Sequence, residues 1–287
     1  MANTIDSNLL VDIISEQVIT TAQAKLFPLN AVSFVYSSAP NAPGATVQVP
    51  LVDAGSTVNQ FNGTFANDAV AFTSASVSLS ALYTSFSISD YDIAVTGMKG
   101  IQAIVDSKVK SLASTIVQNA LNTAISSSTS AIAVSTSNFD GDSLGDIRTV
   151  MSVANVSEPS LILAPAFYTA ALADLAATES FNFAEASREG KITRARGFNV
   201  YEANMFASNV GGLALGKGGL AVALNYWAPM DGAYEIAQPI TDKDSGLTFG
   251  LRMWNDPATG AKRVVITALA GVAAGLTAQL KKIVKLG

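Results

Sequence analysis

The segment Gly141-Asp142-Ser143-Leu144-Gly145 fits G-x-S-x-G, the tight turn on which many hydrolases present a nucleophilic serine. A serine hydroxyl attacks an acyl carbon only when a general base, ordinarily histidine, removes its proton. The chain has 287 residues and no histidine. The competing reading is structural: Ser143 caps the helix that follows, with Asp146 three residues on as its capping-box partner. A second motif, Gly211 to Gly218, reads G-x-x-x-x-G-K-G and lacks the Ser or Thr with which a phosphate loop holds magnesium. Its glycines and the apolar run Leu220 to Leu224 read instead as the turn and returning strand of a hairpin. Asp140, Asp142 and Asp146, or Asp242 with Asp244, offer carboxylates for calcium, but Leu144 stands where an EF-hand needs an oxygen ligand and Met151 where it needs glutamate. There is no cysteine either. We therefore expect no catalysis, no metal and no cofactor, with a serine hydrolase using Ser143 as the minor alternative.

One basic cluster stands out: Arg188, Lys191, Arg194 and Arg196, interleaved with Glu185 and Glu189. It reads as an ion-pair patch between subunits or a weak nucleic-acid contact on one side, and as a solvated excursion of alternating charge on the other. Trp227, Trp254, Tyr226 and Tyr234 lie in strand-like contexts that suit a core or an interface better than a ligand box.

The elements that must carry these residues belong to an unusually apolar chain. It is 49% hydrophobic and only 14% charged, against about a quarter charged in an average soluble protein. That composition implies a surface covered by partners. Residues 1 to 98 hold seven acids and the single base Lys25, net −6, while the rest holds sixteen bases and fifteen acids, net +1. An acidic front joined to a near-neutral body suits docking between subunits better than wrapping nucleic acid, which asks for a clearly basic face. Met1 to Leu10 has no basic leader, so cytoplasmic synthesis is expected. Val264 to Leu280 is free of charge but short for a membrane span. It reads as a strand over Arg263 to Leu269 and a short helix ending in Lys281, Lys282 and Lys285.

Along the chain, Ile5 to Phe27 has apolar residues at helical spacing and stops at Pro28, an amphipathic arm helix. Val47, Val49 and Leu51 alternate as a short strand. Asp53 to Ser89 contains just two charges, Asp53 and Asp68. Its later part alternates serine with Val77, Leu79 and Ala81, then changes phase near Leu82, which predicts a two-stranded excursion with a bulge that something outside it must cover. Gly100 to Ile125 repeats apolar residues every three or four positions and predicts a helix about 39 Å long. Beyond it, a small strand at Ala131 to Val134 and helices at Leu144 to Val156 and Pro165 to Ala176 alternate with short strands. These are Leu161 to Ala164, Phe198 to Tyr201, Leu213 to Leu215, Leu220 to Leu224, Ala233 to Ile236 and Leu247 to Trp254.

This order resembles the major capsid proteins of tailed bacteriophages, the Hong Kong 97 type of fold. The run Leu161-Ile162-Leu163-Ala164-Pro165-Ala166-Phe167-Tyr168 opening a mixed domain, the strand Gly197 to Tyr201 and a late β-pair over Ala233 to Trp254 fit it. The resemblance implies an α+β chain with an N-terminal arm (1–45), an E-loop hairpin (46–92), a peripheral domain on the long spine helix (93–159 and 229–267) and a mixed axial domain (160–228 and 268–287). It further implies a virion protein that self-assembles through pentamers and hexamers into an icosahedral shell around double-stranded DNA, with scaffold, portal and decoration proteins as further partners. Arms and E-loops would lie across neighbouring subunits. The charged residues expected at those contacts are Arg188, Lys191, Arg194, Arg196, Asp53, Asp68, Lys281 and Lys282. The E-loop carries no lysine, so a Lys-to-Asn cross-link from it is not expected. An encapsulin-like nanocompartment shell shares the fold and is the nearest alternative.

Overall fold

A computed structural model describes residues 7–40, 42–51, 73–156, 158–178, 192, 194–230, 232–242 and 246–286. Its long helix α2 (Asp90–Ser127) is broken at Gly97, whose φ of 63° and ψ of −171° lie outside the helical region. Beyond the break, Ile101, Val105, Val109, Leu112, Ile116, Ala120 and Ala124 form one buried stripe, as the spacing predicts.

That stripe is covered first by α1 (Ser7–Leu26), ended at Pro28, which sits in a 3₁₀ turn over Phe27–Ala31. Leu10, Val11, Ile14, Val18, Ala22 and Leu26 of α1 are all buried in the same core as α2. Within its own chain the apolar face of the arm helix matches the stripe on α2, and the two faces close on each other. Two polar contacts register the pair. Thr21 Oγ1 donates to Asp106 Oδ1 at 2.8 Å and Gln17 Nε2 to the same oxygen at 3.5 Å. The Lys110 ammonium pairs with the Asp106 carboxylate from the next turn of α2.

The other wall of this core is a six-stranded sheet built around β13 (Ala261–Ala274). One edge of β13 is occupied by β4 (Ser80–Ile88) over Lys262 to Ala270. The other edge is shared end to end by β12 (Thr248–Asp256), paired with Ala261 to Thr267, and β10 (Leu220–Tyr226), paired with Leu269 to Ala274. β11 (Ile236–Thr241) continues from β12, and β1 (Ser33–Pro40) runs parallel to β10.

A two-stranded ribbon, β2 (Thr46–Leu51) with β3 (Thr73–Ser78), lies against the opposite face of the sheet at its β10 end. Val49, Leu51, Ala75, Val77 and Leu79 turn inward onto Ala221, Ala223 and Leu269, while Ser74, Ser76 and Ser78 face out. The buried phase is odd up to Leu79 and even from Leu82 to Ile88, where β4 turns toward α2. This is the predicted phase change, and the ribbon's cover is the chain's own sheet. Ser74 and Ser76 are bridged by Gln48 on the exposed side.

The second sheet runs β5 (Thr129–Val134), β14 (Leu280–Lys285), β9 (Val210–Leu215), β6 (Ser160–Leu163), β8 (Phe198–Glu202) and β7 (Arg194–Ala195). Alternate side chains divide its faces. Ile162, Leu213, Leu215 and Leu280 join the core of α1 and α2, while Leu161, Leu163, Ala214 and Ile283 join a second core under α3 (Gly141–Val153) and α4 (Pro165–Thr178). Phe139 and Phe167 meet there edge to face at 5.1 Å.

Two further expectations are corrected. The segment ending in Lys281, Lys282 and Lys285 is not a helix; after a 3₁₀ turn at Thr277–Gln279 it is β14, hydrogen-bonded to β5 on one side and β9 on the other. Leu213 to Leu224 is not a hairpin, because β9 and β10 belong to different sheets. The chain passes between the sheets twice, at Gly216–Gly219 and Gly275–Gln279, and the two crossings are tied side by side. The Gly216 N–H donates to Gln279 O at 3.0 Å, Gly275 N–H to Gly219 O at 2.9 Å and Leu276 N–H to Gly218 O at 2.8 Å. A Cβ on Gly275 would lie 2.3 Å from Gly218 O, so no larger residue fits.

Candidate functional site

Ser143 sits at the third residue of α3, and Asp140 is the N-cap. The Ser143 N–H donates to Asp140 Oδ1 at 2.9 Å, its hydroxyl donates to the same oxygen at 2.9 Å, and the Asp140 N–H reaches Ser143 Oγ at 3.5 Å. The capping box is present, one turn earlier than expected: Asp140, not Ser143, is the cap, and Asp146 takes no part. These bonds, the Ser143 N–H first and its hydroxyl next, hold the Asp140 carboxyl below the usual carboxylate range. The lowered pKa makes this carboxylate a weaker base toward the hydroxyl it accepts from. Of the glycines in Gly211 to Gly218, Gly211 and Gly212 lie in β9, where Phe167 and Ile162 O leave no room for a side chain, and Gly216 and Gly218 belong to the crossing between sheets. Among the described residues no three His, Cys, Asp or Glu side chains group as metal ligands, and no helix is long and apolar enough to cross a membrane.

Half of the basic cluster is described. Arg188 and Lys191 lie outside the described residues, as do Asp53 and Asp68. Arg194 and Arg196 flank Ala195 on the exposed turn between β7 and β8, where Arg196 has φ 47° and Gly197 φ 81°. The turn curls toward α3, and there a third arginine joins them: Arg148 Nε would lie 3.5 Å from a Cβ on Gly197. Arg148, Arg194 and Arg196 line a cavity of about 340 Å³ whose one acidic wall residue is Glu158. The Arg194 Nε donates to Asn199 Oδ1 at 3.1 Å, which fixes the guanidinium on the rim. Arg196 reaches back to the start of α3, where its Nη2 and Asp174 Oδ2 both come within 3.2 Å of where a Gly141 Cβ would stand. The Asp174 carboxylate also accepts the Gly141 N–H at 2.7 Å. Sequence reading missed Arg148, a lone half-buried arginine of α3; its only sequence signal is that α3 and the turn both carry arginine at polar positions.

Lys281 and Lys282 are half-buried in β14, and the Lys281 ammonium donates to Thr129 Oγ1 at 2.9 Å across to β5. Asp12 and Glu16 are exposed on the outer side of α1. On the outer face of the first sheet, Arg252 is buried between aromatic rings, 4.3 Å over Trp227 and 5.3 Å from the centre of Tyr234. Trp254 packs on Tyr234 edge to face at 5.5 Å; Tyr226 and Trp254 stand in strands, whereas Trp227 and Tyr234 lie in the connection between β10 and β11. Arg252 was not foreseen.

No family model matches the sequence, and no curated sequence is similar to it. Solved structures are similar to its fold. The capsid of cyanophage P-SCSP1u aligns over 90% of this chain and 87% of its own, with a TM-score of 0.57 at 14% identity. Gordonia phage Cozz aligns over 91% and 86%, with a TM-score of 0.56 at 10% identity. The chain has the capsid-protein fold of tailed phages, the Hong Kong 97 type. A virus-like particle from Pyrococcus furiosus aligns over 93% of this chain and 98% of its own, with a TM-score of 0.54 at 12% identity.

Proposed function

We propose that this chain is the major capsid protein of a tailed bacteriophage, a non-enzymatic subunit that self-assembles into an icosahedral head around double-stranded DNA. The observation that carries the reading is the alignment of about nine-tenths of the chain, end to end, with phage capsid subunits. The surface supports it. Tyr83, Tyr91, Val95 and Met230 are among the large apolar side chains left exposed. In this reading α2 and the first sheet form the peripheral domain, and the second sheet with α3 and α4 the axial domain. β5 and α3 then go with the axial part and β10 with the peripheral part. Scaffold, portal and decoration proteins are the expected further partners, and the virion the expected location.

The test is size-exclusion chromatography and negative-stain imaging of the purified chain. Capsomers or megadalton shells are expected; a monodisperse monomer at all concentrations overturns the reading. The near-complete alignment with the Pyrococcus furiosus particle favours a nanocompartment shell as the second reading. Particles isolated with a protein cargo and no DNA would select it. A fluorophosphonate probe is expected to leave Ser143 unlabelled.

A further inference from the structure

We propose that the outer edge of β4 pairs with β4 of a second copy of this chain, antiparallel across a two-fold axis centred on Thr84. The inference rests on the shell reading and names one of its contacts.

The outer strands of the two six-stranded sheets are β1, β11, β4, β5 and β7, and a strand with an unpaired edge invites another strand unless something blunts it. Four of them are blunted. β1 loses register before it ends at Pro40, β11 contains Pro239, β5 slips register against β14, and β7 is two residues long and contains Arg194. β4 has none of these devices. Its nine residues, Ser80 to Ile88, include no proline, glycine or charge, and they pair with β13 in unbroken register. Among the described residues no strand pairs with its other edge, toward which every second backbone N–H and C=O points.

Charge and side-chain pattern select a second copy as the occupant. Residues 1 to 98 carry a net charge of −6, so two copies meeting through most of this half repel each other. Between Asp68 and Asp90 there is no charge, and β4 lies in that interval. Antiparallel pairing about Thr84 overlaps the whole strand with itself. Leu82 then stands opposite Phe86 of the second copy, Tyr83 opposite its Ser85, and Thr84 opposite its Thr84. Leu82 and Phe86 are half-buried at the rim of the core shared by α1 and α2, so this register continues that apolar face from one copy into the next. A slip of one residue would set the serine side of one strand against the apolar side of the other. On the outer face Tyr83 is 68% exposed and Ser85 is also exposed, leaving both free to meet a partner.

Charge matching in the full-length protein tests this. Tyr83→Lys with Ser85→Lys, and separately Tyr83→Glu with Ser85→Glu, set like charges opposite each other twice across the axis. Each variant is expected to lose closed particles about tenfold or more with an unchanged melting temperature, and a mixture of the two is expected to assemble. The chain has no cysteine, so Thr84→Cys introduces a single thiol. Mild oxidation of its particles is expected to give disulfide-linked dimers, whereas Asn122→Cys, on the exposed side of α2, gives none. The proposal is overturned if either charge variant assembles as the unmodified chain does, or if the oxidised Thr84→Cys particles yield only monomers. It is also overturned if the mixture does not recover, which would make the occupant of the edge a different strand. Thr84→Cys dimers from a chain that never forms shells would leave the pairing standing and sink the shell reading; a chain that neither assembles nor cross-links ends both.

Discussion

The arm helix α1 and the β2–β3 ribbon invite the same sequence interpretation, as segments without a core of their own, and the fold treats them in opposite ways. α1 enters the largest core through six buried side chains and is tied to α2 by Thr21, Gln17 and Asp106. The ribbon touches the body through a small apolar cluster, and its outer side is a row of serines with no charge between Asp68 and Asp90. Amphipathicity at helical spacing gives a segment a wide apolar stripe that a neighbouring helix of the same chain can match. Alternation in a ribbon gives only every second residue, so the same length buries far less and leaves the other side for another surface. An acidic, detachable-looking segment can be the more deeply built-in of the two.

The sharpest way to break this contrast is to remove α1. Deleting residues 1 to 27 is expected to abolish the cooperative thermal transition seen by circular dichroism, since it strips the cover from Val105, Val109 and Leu112; a folded body with an intact melt would show that α1 is an appendage after all. At the scale of single side chains, Ile14→Ala should lower the global unfolding free energy by about 3 kcal/mol and Val77→Ala by about 2 kcal/mol or less. In hydrogen exchange the second change should speed amides of 46–51 and 73–78 while leaving α1 protected. Equal and global effects would erase the distinction. The smallest effect concerns Asp106. Hydrogen bonds from Lys110 and Thr21 lower its pKa from 3.8, so its contribution is present above that value and is lost as pH falls through the lower native value. Asp106→Asn should destabilise by about 1 kcal/mol at pH 7 and by progressively less as the pH is taken below 3.8, as measured by urea melts; a gap independent of pH would remove this link from the α1–α2 contact.

Local pattern made much of the fold legible. The stripe from Ile101 to Ala124, the serine alternation with its phase change, and the strand-to-helix step at Leu161 to Phe167 depend on neighbours close in sequence, and they stand where the spacing puts them. What was hidden depends on partners far along the chain. Leu280 to Lys285 is a strand because β5 and β9, some 150 and 70 residues away, offer it both edges, and the β-branched Ile283 and Val284 are its only local hint. Gly216 to Gly219 looks like a hairpin turn, yet the strands on its two sides find β14 and β13 instead of each other. The cap register failed for a smaller reason: Asp140 and Ser143 are both good caps, and only backbone geometry chooses. Of the arginines around the cavity at α3, Arg194 and Arg196 were visible as a cluster, whereas Arg148 needed the turn at Gly197 to bring it near.

β13 and β14 are consecutive strands of the chain and each is paired on both edges, β13 between β4 and β12 or β10 in the first sheet and β14 between β5 and β9 in the second. A ribosome must therefore deliver about 260 residues before either sheet can be completed. At synthesis rates of about 5 to 20 residues per second the nascent chain spends on the order of ten seconds or more with both sheets lacking an inner strand. Both sheets then close within the same final stretch of translation. Residues 261–285 thus set when the fold can close: neither sheet can reach its final pairing until the last tenth of the chain has been made.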